Sequence, residues 1–430
     1  MEVDSTIKDC SSSTQSFASA PGDKPTRLLD YLGYSLKKTV LGNHIYKLYA
    51  ISTSPARKPL FKSQDSGSYE RRMLLLLSEK RKGLPQEEVL MTGLEVHEYY
   101  MIKEETLNIY ISKVDTTGCT PSTTNIKNGS ATKQLISSYI HYHLEESMQP
   151  RNKRVNIHIF ARSQPQYLFT KSSDNPNKHV LNDVDLLKWW KKVLEQTLST
   201  TNNSLQGIKK WYYVPGNISE SIVKSINRDG KDWIYGYPYD NESNANDVIP
   251  KFDDDAKARW LNHLDNNDED EVDNTTVKEF WEVISIGSEF SCGKVAGFFW
   301  VKIECLVGKD LKDEGYESLL LKNLKTNVGG IVFDEQEFTD ILQNFFDLDF
   351  YNEEIALKAS KQWCKIFNDS CTQKGINDGV LEFVVGRPQN EPEEMSTQGG
   401  VIAKRKSAGI DDSLDKVNVL SASLIKRVKK

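Results

Sequence analysis

The stretch that most constrains the fold of this chain runs from Val155 to Leu198. Residues 183–198 carry a clear helical period, with Leu187, Trp190, Leu194 and Leu198 on one stripe and Leu186, Trp189 and Val193 beside it. Asn182 stands at the N-cap position, and Asp183 and Asp185 occupy the first turn, where the helix dipole favours acids. Upstream, Val155, Ile157 and Ile159 alternate as in a strand, and Gln166-Tyr167-Leu168-Phe169 reads as a second strand-like piece. A basic loop, Lys171 to Lys178-His179, joins that piece to the helix.

The rest of the chain mixes the two periods in irregular order. Strands are predicted at Met73–Leu77, Leu94–Ile102, Leu107–Val114, 303–307 and 380–385. Asp115-Thr116-Thr117-Gly118 is a turn signal. Helices are predicted over 131–145, with Leu135, Ile136, Tyr139 and Ile140 on one face, and over 254–264, 276–284, 335–346 and 352–367. Residues 26–52 hold enough apolar side chains to pack locally, and Pro55 to Ser68 reads as a loop. The order points to an α+β or mixed α/β fold. One large domain is expected over 26–388, between a disordered Ser/Thr-rich tail at 1–25 and a polar, basic tail at 389–430.

Composition narrows the class. Hydrophobic residues make up 38% of the 430 residues, and the longest apolar runs, Met73–Leu77 and Val295–Val301, are far too short to cross a bilayer. The N-terminus lacks the order of a secretion signal. Six cysteines form no CxxC pair, as expected of reduced thiols. The net charge is −6; residues 401–430 carry eight Lys/Arg and three Asp (+5), which leaves −11 for residues 1–400. Such a body suits a basic partner better than a nucleic acid, though mild acidity also serves solubility.

Several side chains can carry chemistry. Trp189 and Trp190 point about 100° apart, so both can be core or one can wall a pocket. Lys178, His179, Arg162 and the following helix N-terminus offer cations and N–H groups to a pyrophosphate, or form a solvated loop. Asp253-Asp254-Asp255 ahead of Lys257 and Arg259 fits ordinary helix capping as well as a reactive acid. His141 and His143 face different sides of a helix, which argues against a metal pair. No phosphate-binding glycine motif and no Ser/His/Asp or Cys/His constellation is evident.

Leu94-Glu95-Val96, Ser112-Lys113-Val114-Asp115-Thr116, Gln166–Phe169, Lys178–Asn182 with Trp189-Trp190, Ile249–Arg259 and Phe280-Trp281 together resemble the fungal histone acetyltransferase family known as the regulator of Ty transposition. The resemblance implies a central mixed β-sheet flanked by helices, similar to the CREB-binding-protein acetyltransferases. It implies transfer of acetyl from acetyl-CoA to lysines of histone H3, a core lysine near the DNA entry point and tail lysines, in the nucleus, in support of chromatin assembly and genome stability. Implied partners are histones H3–H4 and two chaperones, of the anti-silencing-function and nucleosome-assembly-protein types; no metal, membrane or sequence-specific DNA is implied.

Carried over by position, acetyl-CoA contacts fall on Val114, Asp115, Thr116, Asn125, Ile126, Lys127, Asn128, Gly129, Phe160, Gln164, His179, Val180, Leu181 and Trp189. Asp255 falls on the proton acceptor, with Asp254 and Asp115 as supporting acids, Trp190 and Tyr167 lining the site, and Lys257 on a self-acetylated lysine. Tyr167 is also a candidate proton donor to the leaving thiolate. The segment that helps dock the second chaperone is short, with only Glu145 to Val155 in its place, and Lys127 is the one basic residue of 125–129. These departures leave a second expectation open: a catalytically weakened histone- or chaperone-binding protein of the same fold. The intact Asp254-Asp255, His179 and Trp189-Trp190 favour the enzyme.

Overall fold

A computed structural model describes residues 25–40, 42–62, 67–80, 87–119, 130–145, 154–201, 205–216, 218–228, 232–265, 275–286, 295–305, 316–376 and 379–387. All of them belong to one compact unit, residues 1–389. The expected tails at 1–25 and 389–430 lie almost wholly outside the described residues, as do Asn125–Gly129 and most of 145–155.

The strands are β1 (Gly42–Thr53), β2 (Ala56–Arg57), β3 (Ser68–Lys80), β4 (Glu88–Met101), β5 (Thr106–Thr116), β6 (Arg154–Arg162), β7 (Leu205–Tyr213), β8 (Trp233–Tyr235), β9 (Ala296–Cys305), β10 (Ile331–Phe333) and β11 (Val380–Arg387). The helices are α1 (Leu28–Thr39), α2 (Ala131–Leu144), α3 (Asp183–Ser199), α4 (Glu220–Ile226), α5 (Ala245–Val248), α6 (Ala256–Asp265), α7 (Val277–Ile286), α8 (Tyr316–Thr326), α9 (Glu335–Phe346) and α10 (Glu353–Lys374). The strands join in one mixed sheet, ordered β10-β1-β3-β4-β5-β6-β9-β7-β8, with β11 also on β1 and β2 on β3. The central mixed sheet flanked by helices is as expected.

Alternation along the strands divides the packing between two faces. Met73, Leu75, Val96, Ile109 and Ile157 point to one face, where they meet α1, α2, α3 and α8. Leu74, Leu76, Tyr49 and Ile51 point to the other, under α9 and α10, and Phe298 and Trp300 meet α6 and α7 further along it. α2 is fixed to its face by charge as well as apolar contact. The fully buried Glu98 accepts from Arg71 at 2.8 Å and Tyr100 at 2.8 Å, and also from Tyr139 of α2. His143 of α2 lies 3.0 Å from the same carboxylate. Breaking such a buried group would cost about 3–5 kcal/mol, so α2 holds a defined position.

Most predicted elements form, several to within a residue or two, and three readings are corrected. Gln166–Phe169 is not a strand; it is irregular backbone wrapped around a side chain from β5. The predicted strand at 303–307 is instead β9, which starts at Ala296 and takes in most of the apolar run Val295–Val301. The apolar side chains of 26–52 pack as expected, in α1 and β1, whereas Pro55 to Ser68, read as a loop, includes the short strand β2.

Candidate active site

β5 and β6 run parallel, in register from Thr106↔Arg154 to Ile111↔Ile159, and α2 lies between them in sequence. The carboxyl ends of such strands open on a space that neither strand can fill, which is where α/β proteins bind ligands. Here that space is a cavity of about 1130 Å3 between the ends of β5 and β6, helices α1, α2 and α3, and the segments around 164 and 180. Val114, Asp115, Thr116, Phe160, Gln164, Tyr167, His179, Val180, Leu181, Trp189 and Trp190 all line it.

The wall is built around Asp115. Its Oδ2 accepts the backbone N–H groups of Tyr167, Leu168 and Phe169 at 2.8, 2.9 and 3.2 Å. Its Oδ1 accepts from Lys178 Nζ at 2.7 Å and from the Thr116 N–H at 2.8 Å. Both oxygens are engaged, and the carboxylate holds the 166–169 backbone and the 178 loop in place. Lys178 also donates to Ser172 Oγ at 2.7 Å, and its side chain is only 5% exposed. Of the two readings of this loop, neither a solvated Lys178 nor a free cation for a pyrophosphate is what forms: its charge is spent on Asp115. Gly118, at φ +81°, allows the approach, since a Cβ there would lie 2.8 Å from the Lys178 backbone nitrogen.

Asn182 caps α3, its side chain accepting the Asp185 N–H at 2.9 Å. The two tryptophans of that helix meet edge to face, 4.9 Å apart at 78°. Trp190 is buried in the main core and Trp189 packs against it, yet both reach the cavity. Val180, 42% exposed, adds apolar surface at the rim. The Tyr167 hydroxyl donates to the Arg162 carbonyl. Burial, then the nearby Asp115 charge, push its pKa up to about 12, so at neutral pH it is a phenol with a proton to give.

Charge enters from the helices. Lys38 of α1, Lys133 of α2 and Lys192 of α3 line the cavity, and Asp115, already neutralised by Lys178, is the one acid among the described lining residues. Burial and then Lys192 hold the Lys133 ammonium below its ordinary pKa. Cations crowded without an acid create a site for an anion. The sequence reading missed these lysines because they lie on three separate helices, Lys38 in the last turn of α1, Lys133 in the first turn of α2 and Lys192 in the middle of α3, and no local pattern links them.

The acid cluster stands behind the cavity. Asp254 meets its edge, pairing with Lys113 at 2.8 Å and accepting from the lining residue Ser112 at 3.4 Å. Asp255 and Lys257 are not among the described lining residues. Asp255 is fully buried; it accepts the Lys257 backbone N–H at 3.0 Å, as a helix cap does, and pairs with the Lys257 ammonium. That ammonium lies 4.5 Å from the Phe298 ring, which stacks 4.8 Å from Phe160, a wall of the cavity. The pair thus connects to the cavity wall through these two aromatic contacts. Burial holds Lys257 below its ordinary pKa, against the opposing pull of Asp255.

The family model for the histone acetyltransferase KAT11-type domain matches residues 32–153 and 133–366. The chain belongs to the KAT11-type histone acetyltransferase family. Among KAT11-type relatives, it is 26% identical over 369 residues to the histone acetyltransferase rtt109 of Aspergillus flavus, covering 76% of this chain and 62% of that one. It is 29% identical over 231 residues to rtt109 of Schizosaccharomyces pombe, covering 51% and 58%. The chain thus spans less than two thirds of the length of either curated relative. The crystal structure of Rtt109 from Aspergillus fumigatus superposes with a TM-score of 0.66 at 22% identity, over 84% of this chain and 99% of that one, which shows a shared fold. Among the described residues no His/Cys/Asp/Glu cluster suits a metal; His141 turns to the Thr197 carbonyl at 2.8 Å and His143 to Glu98.

Proposed function

We propose that this KAT11-type chain transfers acetyl from acetyl-CoA to lysine side chains of histone H3. The observation that carries the reading is the cavity itself: indole-walled, rimmed by lysines that pair with no acid among the described residues, and adjoined by a buried aspartate. Its cationic part suits the phosphates of coenzyme A, and its aromatic part suits a thioester and the aliphatic stem of a lysine.

In the reaction the substrate amine attacks the thioester carbonyl, a C–N bond forms, the C–S bond breaks, and the amine proton must leave. Neutralising a free lysine at pH 7 costs about 4–5 kcal/mol, so a proton acceptor and a dry channel lower the barrier. Asp255 is assigned as acceptor, Asp254 as a supporting acid at the mouth, Trp190 as channel wall, and Tyr167 as donor to the leaving thiolate. Asp115 supports the site by holding its wall. While Lys257 is charged, its ammonium occupies Asp255. Acetylation of Lys257 removes that cation and frees the carboxylate, and its depressed pKa eases loss of the proton such a modification requires. The proposed setting is the nucleus, with histones H3–H4 and histone chaperones as partners; Lys404-Arg405-Lys406 and the basic end at Lys426–Lys430 suit nuclear import.

The buried Asp255–Lys257 pair, which is not among the described lining residues, also favours a second reading, a histone-binding protein with weakened catalysis. Labelled acetyl-CoA with H3–H4 separates the two. Label should enter H3 with the wild type and fall at least about a hundredfold with Asp255→Asn; binding of H3–H4 without transfer by the wild type would favour the binder.

A further inference from the structure

Between its two helical layers, the sheet face that carries α9, α10, α6 and α7 holds a row of charges. His97 of β4 is at the centre, with Nδ1 2.9 Å from Glu70 Oε1 and Nε2 3.6 Å from Glu95 Oε1. Glu70 continues to Lys58 Nζ at 2.8 Å, and Glu95 to Lys113 Nζ at 2.9 Å. Lys58 then pairs with Asp253, and Lys113 with Asp254 at 2.8 Å. In the order Asp253, Lys58, Glu70, His97, Glu95, Lys113, Asp254 the signs alternate, and the two ends are neighbours on one loop. Other groups facing this row are Tyr99, whose hydroxyl donates to Glu70 at 2.7 Å, Arg72, 3.9 Å from Glu95, and the Tyr110 ring, 6.0 Å from the imidazole. Phe252, just before the loop, is fully buried and stacked 4.5 Å from Tyr110.

A buried ionic row is a poor source of net stability, because an apolar filling does as well. What this one adds is convergence: both ends grip the residues directly before Asp255. We propose that His97 is a positioning residue that, as an imidazolium, joins Glu70 to Glu95 and through Lys58 and Lys113 fixes Asp253 and Asp254, and with them Asp255. Without its charge two buried carboxylates face each other, Lys58 and Lys113 are drawn inward to them, and the loop is released. Burial opposes the charged imidazole, but the two carboxylates outweigh it and hold its pKa above the ordinary value. The inference rests on Asp255 being the proton acceptor.

The test is His97→Gln, which keeps a hydrogen-bonding group and removes the charge. Amide exchange followed by mass spectrometry should speed up about tenfold or more across residues 250–259 and stay unchanged across α2. Histone acetylation should lose about tenfold in kcat, with KM for acetyl-CoA within about twofold. The double variant with Lys113→Met should be no slower than the slower single one, because both cut the same line. Unchanged exchange over 250–259, additive kcat losses or a change in KM alone would overturn the proposal. If His97→Gln does not fold, Lys113→Met alone carries the exchange measurement, with the same outcomes. A wild type without acetyl transfer would remove the proposed function, yet the exchange result would still decide whether His97 holds the loop.

Discussion

Asp115 shows how far a single residue's meaning depends on chain distant in sequence. It was expected as a supporting acid and cofactor contact, and it does line the cavity, but its carboxylate serves three N–H groups more than fifty residues on and a buried lysine. No local pattern announces such a partner set. Asp115→Ala would strand those donors and the Lys178 ammonium, so a loss of about 3–5 kcal/mol is expected in urea titration. An Asp115 that acted only in catalysis would leave the unfolding midpoint unchanged. Lys257 gives a second prediction at this scale. Lys257→Arg keeps a permanent cation on Asp255 that acetylation cannot remove, so the carboxylate stays occupied and turnover should fall about tenfold or more. A retained rate would argue against control of Asp255 through this lysine.

Elements were more legible than their partnerships. α3 was readable because its apolar stripe, its Asn182 cap and its first-turn acids agree, and it begins at Asp183 as expected. β7 was not, because Leu205–Tyr213 carries Gly207 at φ +67° and two lysines within its length. α2 and α3 bind each other through Ser137 Oγ and Thr197 Oγ1, 2.5 Å apart, and this contact brings their lysines to one cavity. Lys133→Gln with Lys192→Gln should raise the KM for acetyl-CoA about tenfold, and raise that for its dephospho analogue less. Equal effects on the two donors would place these lysines away from the 3′-phosphate.

At the scale of the whole molecule, acids and bases buried in the sheet set the pH range of stability. Burial alone would raise Glu70 and Glu95, but His97 and the neighbouring lysines overcome it and hold both at about 2. Their stabilisation is complete above the ordinary carboxylate range and lost as pH falls toward 2. His97 acts in the opposite sense: its raised pKa makes its contribution full below pH 6.5 and lost as pH climbs through the folded-state value. Urea midpoints measured against pH should therefore fall at both ends, and His97→Gln should flatten the alkaline side. Retention of the alkaline decline in that variant would assign it to another group. The fold class was readable from the alternation of strand and helix periods, whereas the charged interior was not, because sequence does not reveal which strands become neighbours.

β1 pairs along Gly42–Tyr49 with β11, whose residues are 380–387. During synthesis that edge must wait for more than three hundred further residues to leave the ribosome, a delay on the order of tens of seconds. Over that interval the nascent chain presents an unzipped strand to its surroundings, so protection by general folding factors matters most before the last strand arrives.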